Sequence, residues 1–202
     1  VNRLNELGDN ELSDFLLQLV QTLKYELYHD SALARFLLQR GLRSTHIVGH
    51  ILFWHLKAEM HVPTVRERHG LLLEEYLMNC GSHRRELMKQ NGIIEQLFNI
   101  AMLIKKTKKL DQLEVLRGEL AKLRHPPKFK LPLSPRMEVR NIIPDKCKVM
   151  DSAKMPLWLV FENADPTGAP VYIIFKAGDD LRQDLLTLQI LRVTDQLWKR
   201  NG

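Results

Sequence analysis

The hydrophobic period of this chain changes once, near Pro126-Pro127, and that change restricts the fold more than any other feature. A pattern with period 3.6 does not sit stably as a strand, and a pattern with period 2 does not sit stably as a helix. Before the prolines the apolar residues recur at helical spacing. Leu12, Leu16, Leu19, Leu23 and Leu27 predict a first helix, capped at Asp9 or Asn10. Asp30-Ser31 opens a second helix through Leu33, Phe36, Leu37 and Leu38, which Gly41 should end. Ser44 or Thr45 caps a third, with Ile47, Ile51, Trp54 and Met60 near one side. Pro63 suits a first helical position, so a fourth helix runs from it to Cys80-Gly81. Ser82 caps a fifth toward Lys106, and Leu113, Leu116, Leu120 and Leu123 stripe a sixth. Helices in succession with short joints predict stacked pairs, a solenoid-like all-α domain over residues 1–124.

Five of the nine prolines fall between residues 125 and 144. Proline removes a backbone donor and blocks helix, so 125–145 reads as a Pro-rich linker or an extended crossing segment. Beyond it, Cys147–Ser152, Leu157–Asn163 and the run from Val171 to Lys176 predict three strands, separated by turn-forming segments. A long helix follows, from Asp180 to Arg200. Asp180 and Gln183 have capping-box spacing, and Leu181, Leu185, Leu188, Leu191 and Trp198 form its apolar face. The fold class is therefore α+β, with a helical half followed by antiparallel strands and one long helix.

Composition removes several functions. No uninterrupted apolar run exceeds five residues, against about 20 for a membrane helix. The first residues lack an apolar signal core, and the chain begins on Val, as a piece of something longer would. Cys80 and Cys147 fit no metal or redox spacing and read as two buried thiols. The net charge of +6 divides evenly, +3 before residue 125 (18 basic, 15 acidic) and +3 after it (12 and 9). This diffuse charge permits an anionic partner, and aromatics not interleaved with basic residues disfavour nucleic acid. His46, His50 and His55 lack a companion acid or thiol in metal-ligand spacing and read as structural. The basic run from Lys105 to Lys109 reads as a solvated helix end.

The chemistry sits in the segment from Val171 to Asp184. A lysine, Lys176, closes an apolar strand, and an acid, Asp184, lies one turn into the next helix. Such a lysine offers a point charge to phosphate oxygens, and a carboxylate can fix it. Upstream, the small-residue turn Met150-Asp151-Ser152-Ala153-Lys154-Met155-Pro156 offers a hydroxyl, backbone amides and a second cation. It is neither a Walker loop nor the Gly-rich loop of protein kinases.

Taken together, residues 146–159 (Lys-Cys-Lys-Val-Met-Asp-Ser-Ala-Lys-Met-Pro-Leu-Trp-Leu) and 175–189 (Phe-Lys-Ala-Gly-Asp-Asp-Leu-Arg-Gln-Asp-Leu-Leu-Thr-Leu-Gln) resemble the phosphoinositide 3-kinase family. The helical stretches 16–26, 30–38 and 53–57 look like class I catalytic subunits, while the turn Asn163–Gly168 is similar to class II. The resemblance covers nearly the whole chain and is least distinctive over residues 82–140. It implies that 1–124 is the later part of the helical accessory (PIK) domain and that 146–202 begins the small lobe of a lipid kinase domain. It implies that Val149, Met150, Asp151, Ser152, Ala153, Lys154 and Met155 form the loop covering the ATP phosphates. Met150, Trp158 and Ile174 would line the adenine pocket. Ser152 and Lys154 would lie near the phosphates, Lys176 would contact the α-phosphate region, and Asp184 would line the inner pocket. Asp151 stands where some relatives have Ser, and an acid there repels phosphate unless it turns outward.

The resemblance also implies ATP with Mg²⁺ as cofactors and a phosphoinositide lipid as substrate. A regulatory subunit and a small GTPase would be partners of a class I parent, which is cytoplasmic and recruited to membrane. No Asp-Arg-His or Asp-Phe-Gly motif occurs, so the base and Mg²⁺ ligands would lie beyond Gly202, leaving these 202 residues inactive by themselves. The runner-up function is a non-catalytic helical scaffold with a kinase-like remnant.

Overall fold

Gly8, Ser31 and Pro63 set the starts of three helices in the computed structural model, which describes residues 2–134 and 136–201. Pro135, one of the prolines of the expected linker, lies outside them. The helices are α1 (Asp9–Thr22), α2 (Ala32–Arg43), α3 (His50–Ala58), α4 (Pro63–Asn79), α5 (His83–Lys106), α6 (Gln112–Leu120) and α7 (Arg182–Asn201). The described residues fall into two compact units. One holds residues 2–84 and 182–201, and the other holds Arg85–Leu181.

In the first unit, α1 packs on α3, α3 on α4, and α2 on α4. Its core is built from Leu12, Leu16, Val20 and Leu23 on one side and Leu37, Val48, Leu52, Leu56 and Tyr76 on the other. The Ser31 hydroxyl accepts from the Ala34 amide at 3.1 Å, the expected cap. Three expectations give way. The first helix is capped at Gly8, whose amide donates to Glu11 Oε2 at 3.2 Å, because Asp9 is drawn away to Arg40. Leu27 is 88% exposed, since α1 has ended at Thr22 and the stripe no longer points inward. Gly41 does not end α2, which runs on to Arg43; a π-type turn, Thr45–Gly49, then leads into α3.

Arg40 is nearly buried and donates to the Leu7 carbonyl and to Asp9 Oδ1, both at 2.8 Å. That hydrogen bond holds the Asp9 carboxyl below its usual range. Burial pushes the His55 imidazole down to about 4, and desolvation lowers His69 in the same direction. The neutral ring is therefore favoured in the fold. The stability it confers is complete above the unfolded value of about 6.5 and is lost as pH falls toward 4. For His55 this amounts to roughly 3 kcal/mol. Asp9 acts in a separate window, below about 3.9. The urea midpoint of the full-length protein is expected to fall between pH 6.5 and 4, and His55→Gln to flatten that slope. An unchanged slope in the variant would rule out His55 as the cause.

The last helix starts at Arg182, two residues later than expected, and turns a polar side to α1. Gln18 Nε2 donates to Gln189 Oε1 at 2.6 Å, and Arg192 Nη1 pairs with Asp14 Oδ1 at 3.2 Å. Its expected apolar face is left open, with Leu188, Leu191 and Trp198 at least 59% exposed.

The second unit packs α5 and α6 against a five-stranded antiparallel sheet of β1 (Phe129–Lys130), β2 (Glu138–Ile142), β3 (Lys148–Val149), β4 (Leu157–Asn163) and β5 (Val171–Phe175). β5 runs along one edge of β4, and β2 and β3 both pair with β4. Two strands thus come from the segment expected to be a linker. Pro126, Pro127, Pro132 and Pro144 stand outside those strands, where a missing N–H interrupts no ladder. β3 is also shorter than expected and stops at Val149. Leu157, Leu159 and Phe161 of β4 alternate toward a core shared with Ile93, Leu97, Ile100 and Ile104 of α5 and Leu116 and Leu120 of α6. Both cysteines are buried and free, and burial pushes both thiols up. The Cys147 thiol donates to the Ile143 carbonyl at 3.2 Å and accepts from the Val160 amide at 3.3 Å.

Candidate functional site

The alternation that buries Leu157, Leu159 and Phe161 puts Trp158 on the opposite face of the sheet. Trp158 sits in register with Ile174 across β4–β5 and with Lys148 across β3–β4. The Tyr172 ring lies 5.6 Å from the Trp158 ring, and the Lys148 ammonium lies 5.9 Å from it. Ile174 and Tyr172 are about half exposed. The result is an open platform of two aromatic rings and a branched aliphatic side chain, suited to the flat face of a heterocycle.

At one end of this platform, β3 leads into the loop Met150–Met155. The Met150 amide donates to the Pro156 carbonyl at 2.8 Å and the Met155 amide to the Ser152 carbonyl at 2.9 Å, which closes the loop. Met155 takes a left-handed φ of 48°, uncommon for a residue with a side chain. Asp151, Ser152, Ala153 and Lys154 stand exposed at the tip, while Val149, Met150 and Met155 are half-buried. Lys154 pairs with Asp179 at 3.6 Å, so the loop meets the turn that follows Lys176. In that turn Ala177 is buried and Gly178 has φ 68°, where glycine is the natural residue.

The loop also forms one wall of a cleft of about 850 Å³, whose other wall holds Lys105, Lys109 and Gln112 from the end of α5, the connection and α6. Asp151 is turned to that wall and pairs with Lys109 at 3.3 Å. Both side chains are largely exposed, so the contact lies at the rim of the cleft.

The expected site residues Met150, Ser152, Lys154, Trp158, Ile174 and Lys176 all belong to the second unit, on adjoining strands, one loop and one turn. Asp184 stands in the first turn of α7, in the first unit. Sequence reasoning missed Asp179, Lys105 and Gln112. Lys105 donates to the Ala177 carbonyl at 2.6 Å, and Gln112 Nε2 reaches Met155 Sδ at 3.4 Å. The basic run had read as solvated, and only the tertiary fold shows that its first lysine is engaged.

Residues 1–89 match the model of the phosphoinositide 3-kinase family accessory domain (PIK domain). The chain is 52% identical over 200 residues to phosphatidylinositol 3-kinase 2 of Dictyostelium discoideum, covering 98% of this chain and 11% of that protein. It is 49% identical over 202 residues to phosphatidylinositol 3-kinase 1 of the same organism, covering 100% and 13%. Residues 1–89 carry the accessory domain of the phosphoinositide 3-kinase family, and the chain as a whole is similar to phosphatidylinositol 3-kinases. A third relative, phosphatidylinositol 3-kinase 3 of Dictyostelium discoideum, is 39% identical over 98% of this chain and 12% of its own length. The chain thus spans about an eighth of the curated phosphoinositide 3-kinases it matches. The accessory-domain match covers α1 to α4 and the start of α5, and the similarity to the relatives extends through the sheet.

Proposed function

We propose that these residues are the end of the helical accessory domain (1–124), a connecting segment (125–145) and the first part of the catalytic small lobe (146–202) of an ATP-dependent lipid kinase. The parent would transfer the γ-phosphate of ATP to the 3-hydroxyl of a phosphoinositide. The observation that carries this reading is the Lys154–Asp179 pair. It draws the loop and the turn after Lys176 together beside the Trp158–Ile174 platform.

On this reading Met150, Trp158 and Ile174 bind the adenine by dispersion and stacking. The loop covers the phosphates, with the Ser152 hydroxyl as a donor and Lys154 as a cation. Lys176 supplies a fixed positive charge at the end of β5. The residues fit the cofactor chemically, with an apolar flat face and cationic groups at its end. ATP supplies the transferable phosphoryl group and Mg²⁺ shields its charge. The Mg²⁺ ligands and the base are assigned outside residues 1–202, so these residues by themselves are expected to be inactive. The parent is further proposed to be a cytoplasmic signalling enzyme recruited to membrane, with a regulatory subunit and a small GTPase as partners.

The test is the reaction of the full-length protein with ATP, Mg²⁺ and phosphatidylinositol vesicles. The expected product carries phosphate on the 3-hydroxyl. Phosphate on another ring position, or nucleotide turnover that ignores the lipid, would reject the assignment. A scaffold role has its own support in the open apolar side of α7, where Leu188, Leu191 and Trp198 are exposed. A full-length protein that neither binds nor consumes ATP would favour it.

A further inference from the structure

We infer that Lys105, in the last turn of α5, is a positioning residue for Lys176. This rests on the reading of Lys176 as the phosphate-contacting cation. The Lys105 ammonium donates to the Ala177 carbonyl at 2.6 Å, and Ala177 is 4% exposed. A charged donor makes this bond stronger than a neutral one. It falls on the Ala177–Gly178 peptide unit, one unit beyond the peptide that joins Lys176 to Ala177. On its other side Lys176 is preceded by the β4–β5 ladder, where Phe175 is in register with Leu157. The backbone at Lys176 is thereby held from both directions, by the sheet before it and by Lys105 after it. The hold is needed because the chain turns sharply here. Gly178 has φ 68°, and a Cβ built on it would lie 3.8 Å from the Lys105 ammonium.

The same helix corner steadies the loop. Gln112 Nε2 donates to the Ile104 carbonyl at 3.1 Å, to the Thr107 carbonyl at 3.3 Å and to Met155 Sδ at 3.4 Å. It therefore ties the end of α5 to the residue whose left-handed φ closes the loop. Lys109 adds its pair with Asp151 at the exposed rim, a weak contact by comparison. The α5–α6 corner thus acts on both cationic parts of the candidate site, and Lys105 is the member nearest in sequence contact to Lys176.

The experiment uses the full-length protein with Lys105→Met, which keeps the aliphatic stem, Lys105→Arg, which keeps the charge, and Lys176→Met as reference. It reads kcat, KM for ATP, KM for lipid, thermal midpoint, and the rate at which an acyl-phosphate derivative of ATP acylates Lys176, followed by peptide mass spectrometry. Lys105→Met is expected to raise KM for ATP and to slow acylation of Lys176, each about tenfold, with KM for lipid unchanged. Lys105→Arg should recover most of both. A lowered thermal midpoint with the parent's KM for ATP and acylation rate would mean that Lys105 only supports the fold, and would overturn the inference. If Lys105→Met does not yield soluble protein, Gly178→Ala perturbs the same turn. It should also raise KM for ATP, and an unchanged value overturns the inference. If Lys176→Met itself leaves KM for ATP and turnover unchanged, the nucleotide reading fails, and this inference fails with it.

Discussion

Lys176→Met in the full-length protein is expected to lower ATP-dependent lipid phosphorylation by about 10²–10³-fold. That is the usual cost of removing one preorganised group from the charge that develops in the transition state. Lys176 directly follows the apolar strand β5, in a unit where the Lys154–Asp179 pair at 3.6 Å brings the loop to the same turn. Methionine preserves the length and apolar surface of the side chain, so the change falls on charge. Lys176 is only half-buried, and the thermal midpoint should therefore move by no more than a few degrees. Lys176→Arg keeps a cation but spreads it over a longer, planar group. It should recover binding of ATP better than turnover. Activity within threefold of the parent in the methionine variant would remove Lys176 from the site.

The sequence was readable where one local force dominates. The strand Leu157–Asn163 was bounded correctly because its continuous apolar run ends in turn chemistry, and Ser31 was legible as a cap because a hydroxyl there has one use. Proline at the first position of α4 was legible for the same reason. What failed needed the third dimension. Pro126 and Pro127 announced a break, yet a short strand follows directly at Phe129, because strand pairing asks only that the paired residues themselves be free of proline. The leucines of α7 repeat as a buried face would, but periodicity says which residues share a side and not what covers that side. Lys176 and Lys154 stand out in the sequence as a strand-end lysine and a turn cation, and Trp158 through family resemblance. Lys105 and Gln112 do not, since a lysine in a basic run and a glutamine in a helix carry no mark of the carbonyl or thioether they will meet.

Gly41 was misread for a related reason, and it leads to the second large expected effect. Glycine near a helix end ordinarily signals a left-handed cap. Here α2 continues past Gly41 to Arg43, and the residue is small because α2 crosses the turn before α3 at that point. A Cβ on Gly41 would lie 3.0 Å from Leu52 Cδ2 and 3.5 Å from the Gly49 Cα. The facing residue is tighter still. A Cβ on Gly49 would overlap the Tyr76 hydroxyl and lie 2.5 Å from the Gly41 carbonyl oxygen. Gly49 has φ −65° and ψ −36°, so alanine suits its backbone, and the whole penalty is steric. Tyr76 cannot yield cheaply. It is fully buried, and its hydroxyl shares a hydrogen bond of 2.8 Å with His83 Nδ1.

Overpacking costs about 1–3 kcal/mol, and a disrupted buried hydrogen bond adds about 1–3 kcal/mol. Gly49→Ala is therefore expected to destabilise the helical unit by about 3–4 kcal/mol, a large share of the 5–15 kcal/mol typical of a domain. Gly92→Ala in α5 and Gly118→Ala in α6 meet nothing within 4 Å and should instead stabilise by up to about 1 kcal/mol through helix propensity. The two outcomes have opposite signs, and urea denaturation of the full-length protein separates them. Tyr76→Phe combined with Gly49→Ala removes the obstructing oxygen, so the pair should be less damaging than the sum of its members. Strict additivity in that double variant, or a neutral Gly49→Ala, would mean that α2 and α3 can move apart at this crossing and that its two glycines are not required by close approach.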